Sequence, residues 1–327
     1  MKSWRECIIV FVLAVSAVGA YAADAPYIRF AKFRGDARGA VTLTFDDALP
    51  SQIEKAVPIL DKYGLHATFF IHTDNVKTTW ASTWDAWGPI ARRGHEVGSH
   101  SQSHPLLSEL TNPRRIRMEI EGSADIIEQH IAIRPISFAY PFSDVDDILR
   151  RKVLAVYFID RDSCRMWGGA AFTAANGISN IEQAVECGEW FYSMMHGVGD
   201  ISFKPISEKA LSGIVKYLAD HRDTIWTDTY ANVGLYLRAC RLVKMKFKDV
   251  REDAFMVKLN IPAGTPYGEH MIVPLTLMVS RSGHDAGFIK AYCGDLPIAT
   301  SVSRDGKYFL MDVVPDGKWV QVYWGNR

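Results

Sequence analysis

The chain has 327 residues, and its 37 Lys plus Arg are balanced by 37 Asp plus Glu. This balance excludes the strong positive charge typical of nucleic-acid binders and polybasic membrane anchors, so we expect no nucleic-acid partner. The length exceeds that of one average domain and predicts one large and one small domain.

The first 22 residues have the pattern of a cleavable secretory signal. Two basic residues precede an apolar run from Cys7 to about Ala20, and a small-x-small sequence ends at Ala22. The apolar run is shorter than the roughly 20 residues of a membrane span, which disfavours the alternative of a membrane anchor. We therefore predict cleavage after Ala22, a secreted or periplasmic protein, and no stable membrane partner after cleavage.

Short apolar runs alternate with helical patterns between residues 40 and 238. The predicted strands are Val41–Phe45, Ala67–Ile71, Glu96–Ser99, Ser137–Tyr140, Val153–Ile159, Trp190–Met195 and Thr224–Thr227. This alternation predicts an α/β domain, residues 23–240, with helices around a distorted (β/α) barrel of about seven parallel strands. Barrels of this kind carry their sites at the C-terminal ends of the strands.

Two segments between these strands have clear helical patterns. The first, residues 51–64, ends at Gly64 and contains Pro58, where we expect a kink. The second, residues 112–130, has Asn112 as its cap and Pro113 at its first position. Its predicted buried stripe consists of Ile116, Ile120, Ala124 and Ile127. The small and polar residues 168–180 are expected to form a loop over the cleft.

After Arg238 apolar and polar residues alternate without a helical period, which is typical of short strands. We predict a small all-β, sandwich-like domain from residue 241 to 327 that is dispensable for chemistry. Four cysteines follow the predicted signal. Two alternatives remain open for them: a disulfide bridge between the first two, or four free thiols. The four cysteines are Cys164, Cys187, Cys240 and Cys293.

Three motifs lie where predicted strands end: TFDD from residue 44, HSQSHP from residue 100, and YSMMHG from residue 192. His100 and His104 are four residues apart, which brings two imidazoles together, and one carboxylate completes a metal centre with positions left for water. At a strand end the side chains of Asp46 and Asp47 diverge, so one can bind a metal while the other acts as a base. Two histidines and an acid also form the iron site of oxygenases, but that site needs a different, all-β scaffold.

TFDD, GHEVGSHSQSHP, FAYPF and MMHG together resemble the polysaccharide deacetylases of carbohydrate esterase family 4, the NodB-homology group, over about residues 36 to 232. The resemblance implies a hydrolase that removes N- or O-linked acetyl groups from an acetylated glycan. The alternative is a catalytically silent glycan-binding protein on the same fold. The family implies a divalent metal, with zinc favoured and cobalt, nickel, manganese or iron left open; the glycan and the oligomeric state stay undetermined.

The resemblance also implies roles for individual residues. Asp46 is the catalytic base, and Asp47 binds the metal together with His100 and His104. The backbone N–H of Tyr140 donates to the oxyanion, and His196 is the general acid.

The family often has an arginine just before the proline of the third motif, and it orients the base. Here that stretch reads Phe138-Ala139-Tyr140, and Arg134 is the nearest candidate. The acidic segment that holds this arginine in the family is loosely echoed by Asp160, Asp162 and Trp167. The sequence therefore leaves open whether Arg134, Asp160 or Asp162 orients the base.

Overall fold

The computed structural model describes residues 27–77, 83–251, 253–280 and 287–325. These residues form two units, one with a parallel sheet flanked by helices and one with two antiparallel sheets. The predicted signal, residues 1–22, lies outside the described residues. Within the described ranges, no helix has the length and apolar character needed to cross a membrane.

Eight parallel strands form the sheet of the first unit. Strand β1 (Tyr27–Phe30) precedes them in the chain and belongs to the second unit. The eight strands are β2 (Gly39–Asp46), β3 (Thr68–Ile71), β4 (Glu96–Ser99), β5 (Ser137–Ala139), β6 (Ile159–Arg161), β7 (Arg165–Met166), β8 (Trp190–Met195) and β9 (Ile225–Thr227). Across the sheet the order is β6-β5-β4-β3-β2-β8-β7, and β9 pairs with the first part of β2. The sheet confirms the predicted distorted barrel of about seven parallel strands.

Eight α-helices accompany the strands of the first unit in the described residues. They are α1 (Val57–Lys62), α2 (Trp84–Arg92), α3 (Pro113–Arg117), α4 (Ser123–Ile131), α5 (Asp147–Leu154), α6 (Ala174–Glu186), α7 (Glu208–Asp220) and α8 (Tyr230–Leu242). Wider π-helical turns, Gln52–Ala56 and Met118–Gly122, precede α1 and join α3 to α4. Pro58 lies directly after Val57 in a helical stretch that is continuous from residue 50, so its missing N–H falls beside the wider π-helical turn.

The sequence pattern of residues 112–130 is confirmed in detail. The side chain of Asn112 accepts hydrogen bonds from the backbone N–H groups of Arg114 and Arg115, as expected of a helix cap. All four residues of the predicted stripe are buried: Ile116, Ile120, Ala124 and Ile127. Burial of this stripe fixes the helix against the sheet and places Glu119, on the same helix, beside the loop that follows β4.

The second unit consists of two antiparallel sheets packed face to face. Its remaining strands are β10 (Lys244–Lys248), β11 (Ala254–Asn260), β12 (Leu275–Ser280), β13 (Phe288–Cys293), β14 (Leu296–Ile298), β15 (Thr300–Val302), β16 (Phe309–Val313) and β17 (Val320–Gly325). One sheet has the order β1-β12-β16-β15 and the other β10-β11-β17-β13-β14. Alternate residues of both sheets form one apolar core, which confirms the predicted all-β, sandwich-like unit.

The two units are not separated at residue 240. Strand β1 pairs with β12 over Tyr27 to Phe30, so residues that precede the first unit complete a sheet of the second. Helix α8 contributes Leu235, Tyr236 and Ala239 to the core of the sandwich. The boundary drawn from the sequence, with 23–240 in one domain and 241–327 in the other, therefore needs this correction.

Two local predictions differ from the structure. The predicted strand Val153–Ile159 is wrong, because α5 extends to Leu154 and the strand begins only at Ile159. The predicted loop at residues 168–180 is wrong beyond Thr173, where α6 begins. All four described cysteines are free thiols, so the bridge between Cys164 and Cys187 is not formed.

Candidate metal centre and catalytic residues

The residues singled out in three motifs meet at the C-terminal edge of the parallel sheet. Asp46 is the last residue of β2, and Asp47 follows it. His100 comes directly after β4 and His196 directly after β8. Parallel strands end at the same edge, so motifs far apart in sequence converge there.

Asp47, His100 and His104 form a group suited to hold a metal ion. One carboxylate oxygen and two ring nitrogens all lie within 4.8 Å of one another. Asp47 Oδ1 is 3.9 Å from His100 Nε2 and 3.6 Å from His104 Nε2. One oxygen and two imidazole nitrogens match the donor set of a zinc-like divalent cation.

The hydrogen bonding of His100 fits the same role. Its Nδ1 donates to the carbonyl oxygen of Ala139 at 2.8 Å, so the proton of a neutral ring is on Nδ1 and Nε2 carries a lone pair toward Asp47. Burial lowers the pKa of His100 to about 3, and burial also lowers the pKa of His104. Both rings are therefore neutral at physiological pH, which is the form that binds a metal.

Asp46 lies beside this group as a buried, ionised carboxylate. Burial alone would raise its pKa, but the Arg161 guanidinium, and then His100, lower it below its usual range. Arg161 donates to Asp46 Oδ2 at 2.5 Å, and to Thr44 Oγ1 at 2.5 Å. The other oxygen, Asp46 Oδ1, is buried and has no hydrogen-bond partner in the described residues, so it is available to accept a proton.

Asp47 has the opposite electrostatic character. Its burial, and then the nearby charge of Asp46, raise its pKa to about 6. A cation among Asp47, His100 and His104 would offset the repulsion between the two carboxylates. The raised pKa of Asp47 is therefore a further indication that Asp47, His100 and His104 fit a metal ion.

The backbone separates the two carboxylates by a left-handed turn. Asp47 has φ 79° and Ala48 has φ 56°, a conformation that is unfavourable for residues with a side chain. Two amide side chains hold this turn: the buried Gln52 Nε2 donates to the carbonyl of Asp46 at 2.5 Å, and the partly buried Asn75 Nδ2 donates to that of Asp47 at 2.7 Å. Gln52 also donates to the carbonyl of His196 at 3.1 Å, which ties the end of β8 to the end of β2.

Glu119 holds the loop between His100 and His104, the two candidate metal-binding histidines. Its Oε2 accepts hydrogen bonds from the backbone N–H groups of Gln102 at 3.0 Å and Ser103 at 2.8 Å. Its Oε1 accepts from Ser103 Oγ at 2.7 Å, and Arg115 pairs with it at 2.8 Å. The Glu119 side chain is 0% exposed, so this loop is fastened to the helix by a buried charge.

His196 borders the candidate metal centre on the side of β8. Its Nε2 is 3.8 Å from Asp47 Oδ2, and its ring lies 5.5 Å from the ring of Phe203. The His196 Nδ1 is buried without a hydrogen-bond partner in the described residues. The ring therefore lies at the edge of the candidate metal centre.

Tyr140 is not placed as the sequence suggested. Its backbone N–H donates to the carbonyl of Arg161 at 3.2 Å, and its hydroxyl donates to Asp160 Oδ2 at 3.1 Å, so neither is available to an oxyanion. Tyr140 directly follows β5, beside β6, and this position commits its N–H to the neighbouring strand. Pro141 has no N–H, so the next amide is that of Phe142, which has φ 59° and a ring 4.7 Å from the His104 ring.

The arginine beside Asp46 is Arg161, at the end of β6, and not the expected Arg134. Arg134 lies on the surface, where it pairs with Asp125 and Glu128. Asp160 and Asp162 both pair with Arg150 and not with the residues around Asp46. Sequence reasoning missed Arg161, although a basic residue between two acids at the end of a strand was a signal that could have identified it.

Comparison with known proteins agrees with the resemblance seen in the motifs. Residues 34–156 match the family model described as "Polysaccharide deacetylase". The match contains the segments with Asp46, Asp47, His100 and His104, whereas Arg161 and His196 lie beyond it.

Curated relatives and a solved structure also resemble this chain. The chain is 22% identical to a gellan lyase from Bacillus sp over 196 residues, 60% of this chain and 7% of that protein. It is 34% identical to the peptidoglycan-N-acetylmuramic acid deacetylase PdaC of Bacillus subtilis over 114 residues, 35% of this chain and 23% of the relative. The chain thus spans less than a quarter of either relative. The crystal structure of a presumed polysaccharide deacetylase from Mycobacterium smegmatis covers 70% of this chain and 99% of its own, with a TM-score of 0.54 at 14% identity, and shows the shared fold.

Proposed function

We propose that this chain, which matches the polysaccharide deacetylases over residues 34–156, is a metal-dependent hydrolase that removes N- or O-linked acetyl groups from a polysaccharide or oligosaccharide. One observation carries the proposal, namely the meeting of five side chains at the C-terminal edge of the sheet. They are Asp46, Asp47, His100, His104 and His196. The deacetylase named among the relatives supports the class of reaction.

Asp47, His100 and His104 would hold a divalent cation, for which zinc is the favoured identity and cobalt, nickel, manganese and iron are alternatives. When bound, such an ion polarises an acetyl carbonyl and lowers the pKa of water to about 7. Glu119 and the hydrogen bond from His100 to Ala139 keep the two rings in place. Held in this way, the donors need little rearrangement to bind the ion.

The remaining residues move protons and stabilise charge. Asp46 accepts the proton of the attacking water at Oδ1, while Arg161 holds Oδ2 and keeps the carboxylate ionised. His196 gives a proton to the departing amine or alcohol, since its ring is 3.8 Å from Asp47 and lies at the edge of the centre. These two groups approach the site from different strands, which suits a base and an acid acting in succession.

A backbone donor for the oxyanion is assigned to Phe142 in place of Tyr140. The Tyr140 N–H already donates a hydrogen bond to the carbonyl of Arg161, and Pro141 has no N–H. The left-handed turn at Phe142 brings this part of the chain against His104. A single oxyanion donor contributes roughly 3 kcal/mol to lowering the barrier.

The two acids of TFDD give the deciding experiment. Asp47→Ala removes one of three protein ligands, so we expect both bound metal and acetate release to fall. Asp46→Asn keeps the size of the side chain but cannot take a proton, so metal should stay while turnover drops by about 10²-fold or more. Elemental analysis beside acetate release from a panel of acetylated glycans measures both. Loss of metal in Asp46→Asn with retention in Asp47→Ala would reverse the two roles, and unchanged metal in both would place the metal elsewhere.

We also propose that the protein is exported, on the basis of the signal pattern in residues 1–22. Export would place the catalytic site beside cell-wall or environmental glycans. Detection of the full-length chain in the cytoplasm, with none in the medium or periplasm, would reject this.

A further inference from the structure

One face of the sandwich carries a concentration of positive charge that the metal centre does not explain. In the sheet β10-β11-β17-β13-β14, alternate side chains such as Val257, Val322 and Ile289 point into the core. The residues between them form the opposite face, and we call it the basic face. Register places Lys246 opposite Lys258 and Lys290 opposite Tyr323 on it.

The charge on the basic face has a single sign. The five strands of this sheet contain five lysines, at positions 244, 246, 248, 258 and 290, and no aspartate or glutamate. In the part of the chain that the structure describes, acidic residues lie around its margins: Asp249, Asp253 and Asp295 flank strands, and Asp316 pairs with Lys318 at 2.8 Å. The whole chain is neutral, so this charge is local.

A structural role for the lysines accounts for only part of the pattern. Lysines on an edge strand prevent sheets from adding to one another, and β10 is an edge strand. Lys258 and Lys290, however, lie on the interior strands β11 and β13. Lys246 and Lys258 also face each other directly, which is unfavourable for two like charges unless an anion lies between them.

Aromatic rings lie among these lysines. The Trp319 ring has Lys248 Nζ 4.6 Å and Lys258 Nζ 4.9 Å from its centroid. The rings of Tyr292 and Tyr323 are 6.3 Å apart on neighbouring strands. An aromatic ring packs well against the C–H face of a sugar ring, while ammonium groups attract carboxylates, so the combination matches a charged sugar polymer better than a simple anion.

A hollow lies at one end of the basic face. Its volume is about 450 Å³, and Arg251, Met256 and Gln321 are among the residues that line it. This volume is in the range of small-molecule sites. The hollow gives the face a concave position lined by one cation, Arg251, and one anion, Asp249, into which one sugar residue of a chain could fit.

We propose that the basic face binds an acidic polysaccharide. It holds the polymer through lysine contacts to its carboxylates and through ring contacts of Trp319, Tyr292 and Tyr323 to its sugars. The choice of a glycan rests on the proposed function, but the residues belong to the second unit, so the two proposals can fail separately.

Binding of the full chain to polygalacturonate, measured by calorimetry, tests the proposal, with neutral dextran, duplex DNA and phosphatidylglycerol vesicles as comparison ligands. We expect polygalacturonate to bind, more weakly at high salt, and dextran not to bind. Lys246→Glu with Lys258→Glu should weaken binding at least about tenfold, and Trp319→Leu about threefold or more. A matched pair on helices of the first unit, Lys62→Glu with Lys209→Glu, should change it less than about twofold.

Several results would overturn the inference. If the variant pair on the basic face and the matched pair on the helices lost the same affinity for polygalacturonate, binding would depend on net charge alone. Duplex DNA or vesicles bound as tightly as polygalacturonate, or unchanged binding in Trp319→Leu, would show a general polyanion surface. Acetate release from a small acetylated oligosaccharide should be unchanged in all these variants. A parent chain that binds polygalacturonate but never releases acetate refutes the proposed function alone. A parent chain that releases acetate but does not bind polygalacturonate refutes this inference alone.

Discussion

The Asp46 carboxylate stays ionised in a buried position because the Arg161 guanidinium lies against one of its oxygens. Both side chains are only 4% exposed, so water cannot replace either partner. Removing one member of such a pair leaves an uncompensated buried charge, which is far more costly than loss of a surface pair.

Substitution of Arg161 should therefore affect folding and catalysis together. We expect Arg161→Met to lower the free energy of unfolding by about 3–5 kcal/mol. It should also abolish most acetate release, because the buried Asp46 would then favour its neutral form. Arg134→Met is the matched control, and its exposed pairs with Asp125 and Glu128 should contribute less than about 1 kcal/mol. Urea unfolding and acetate release measure both effects, and equal behaviour of the two variants would contradict the assignment of Arg161.

At this scale the sequence predicted which residues meet but not how each is held. The convergence of Asp47, His100 and His104 follows from strand ends in a parallel sheet, which periodicity reveals. The partner of Asp46 depends on which strand lies across the barrel, and a single sequence does not show that. The use of the Tyr140 N–H depends likewise on pairing between strands.

The helix at residues 113–131 reaches the site through Glu119. Glu119 lies in the π-helical turn Met118–Gly122. Its carboxylate accepts hydrogen bonds from two backbone N–H groups of the loop between the histidines. Ser101 and His104 in that loop have φ 68° and 59°. A loop with unfavourable backbone angles needs such external support to keep its geometry.

We expect Glu119→Ala to weaken binding of zinc by about 10 to 100-fold, the usual effect of removing a group that supports metal ligands. The control is Glu121→Ala, since Glu121 is exposed and pairs only at 3.7 Å with Arg117. Competition with a chelator measures zinc affinity, and circular dichroism checks the fold of each variant. Unchanged zinc affinity in a folded Glu119→Ala protein would argue that the loop holds its own shape.

Tertiary packing explains why two elements differ from their predictions. Residues 153–159 are rich in strand-forming types, but the Asp146 side chain caps a helix at Leu149 N, and burial of Leu149 and Val153 stabilises that helix. Residues 168–180 look like a loop because they are small. Their helix begins with a capping box at Thr173, and Gly177 allows close contact with Ile214.

At the scale of the whole molecule, one apolar core is shared by the two units. Helix α8 packs against the sandwich, and the Tyr236 hydroxyl donates to the carbonyl of Ala31 at 2.9 Å beside β1. The expectation that residues 241–327 are dispensable took the sandwich to be an independent appendage. Pairing of β1 with β12 is a long-range feature that local sequence patterns do not reveal.

A chain ending at Cys240 should therefore be poorly soluble or unfold at a lower temperature than the full chain. It would expose Leu235, Tyr236 and Ala239 and leave β1 without a partner. Thermal unfolding and size-exclusion chromatography measure this, and the full chain should unfold in a single transition. A soluble shortened chain with the same melting temperature and full acetate release would restore the view of an independent tail.

The pairing of β1 with β12 has a consequence for the order of assembly. In topological terms the deacetylase-like unit is an insertion between the first and second strands of the sandwich. The partner residues Tyr27 and Ser280 are separated by the entire inserted unit, so the loop closed by this pairing is very long. During synthesis β1 must wait, as an unpaired strand, until β12 has emerged, while the inserted unit can already form its own sheet. The sandwich is then completed last, when β12 pairs with β1, a strand that precedes the inserted unit in the chain.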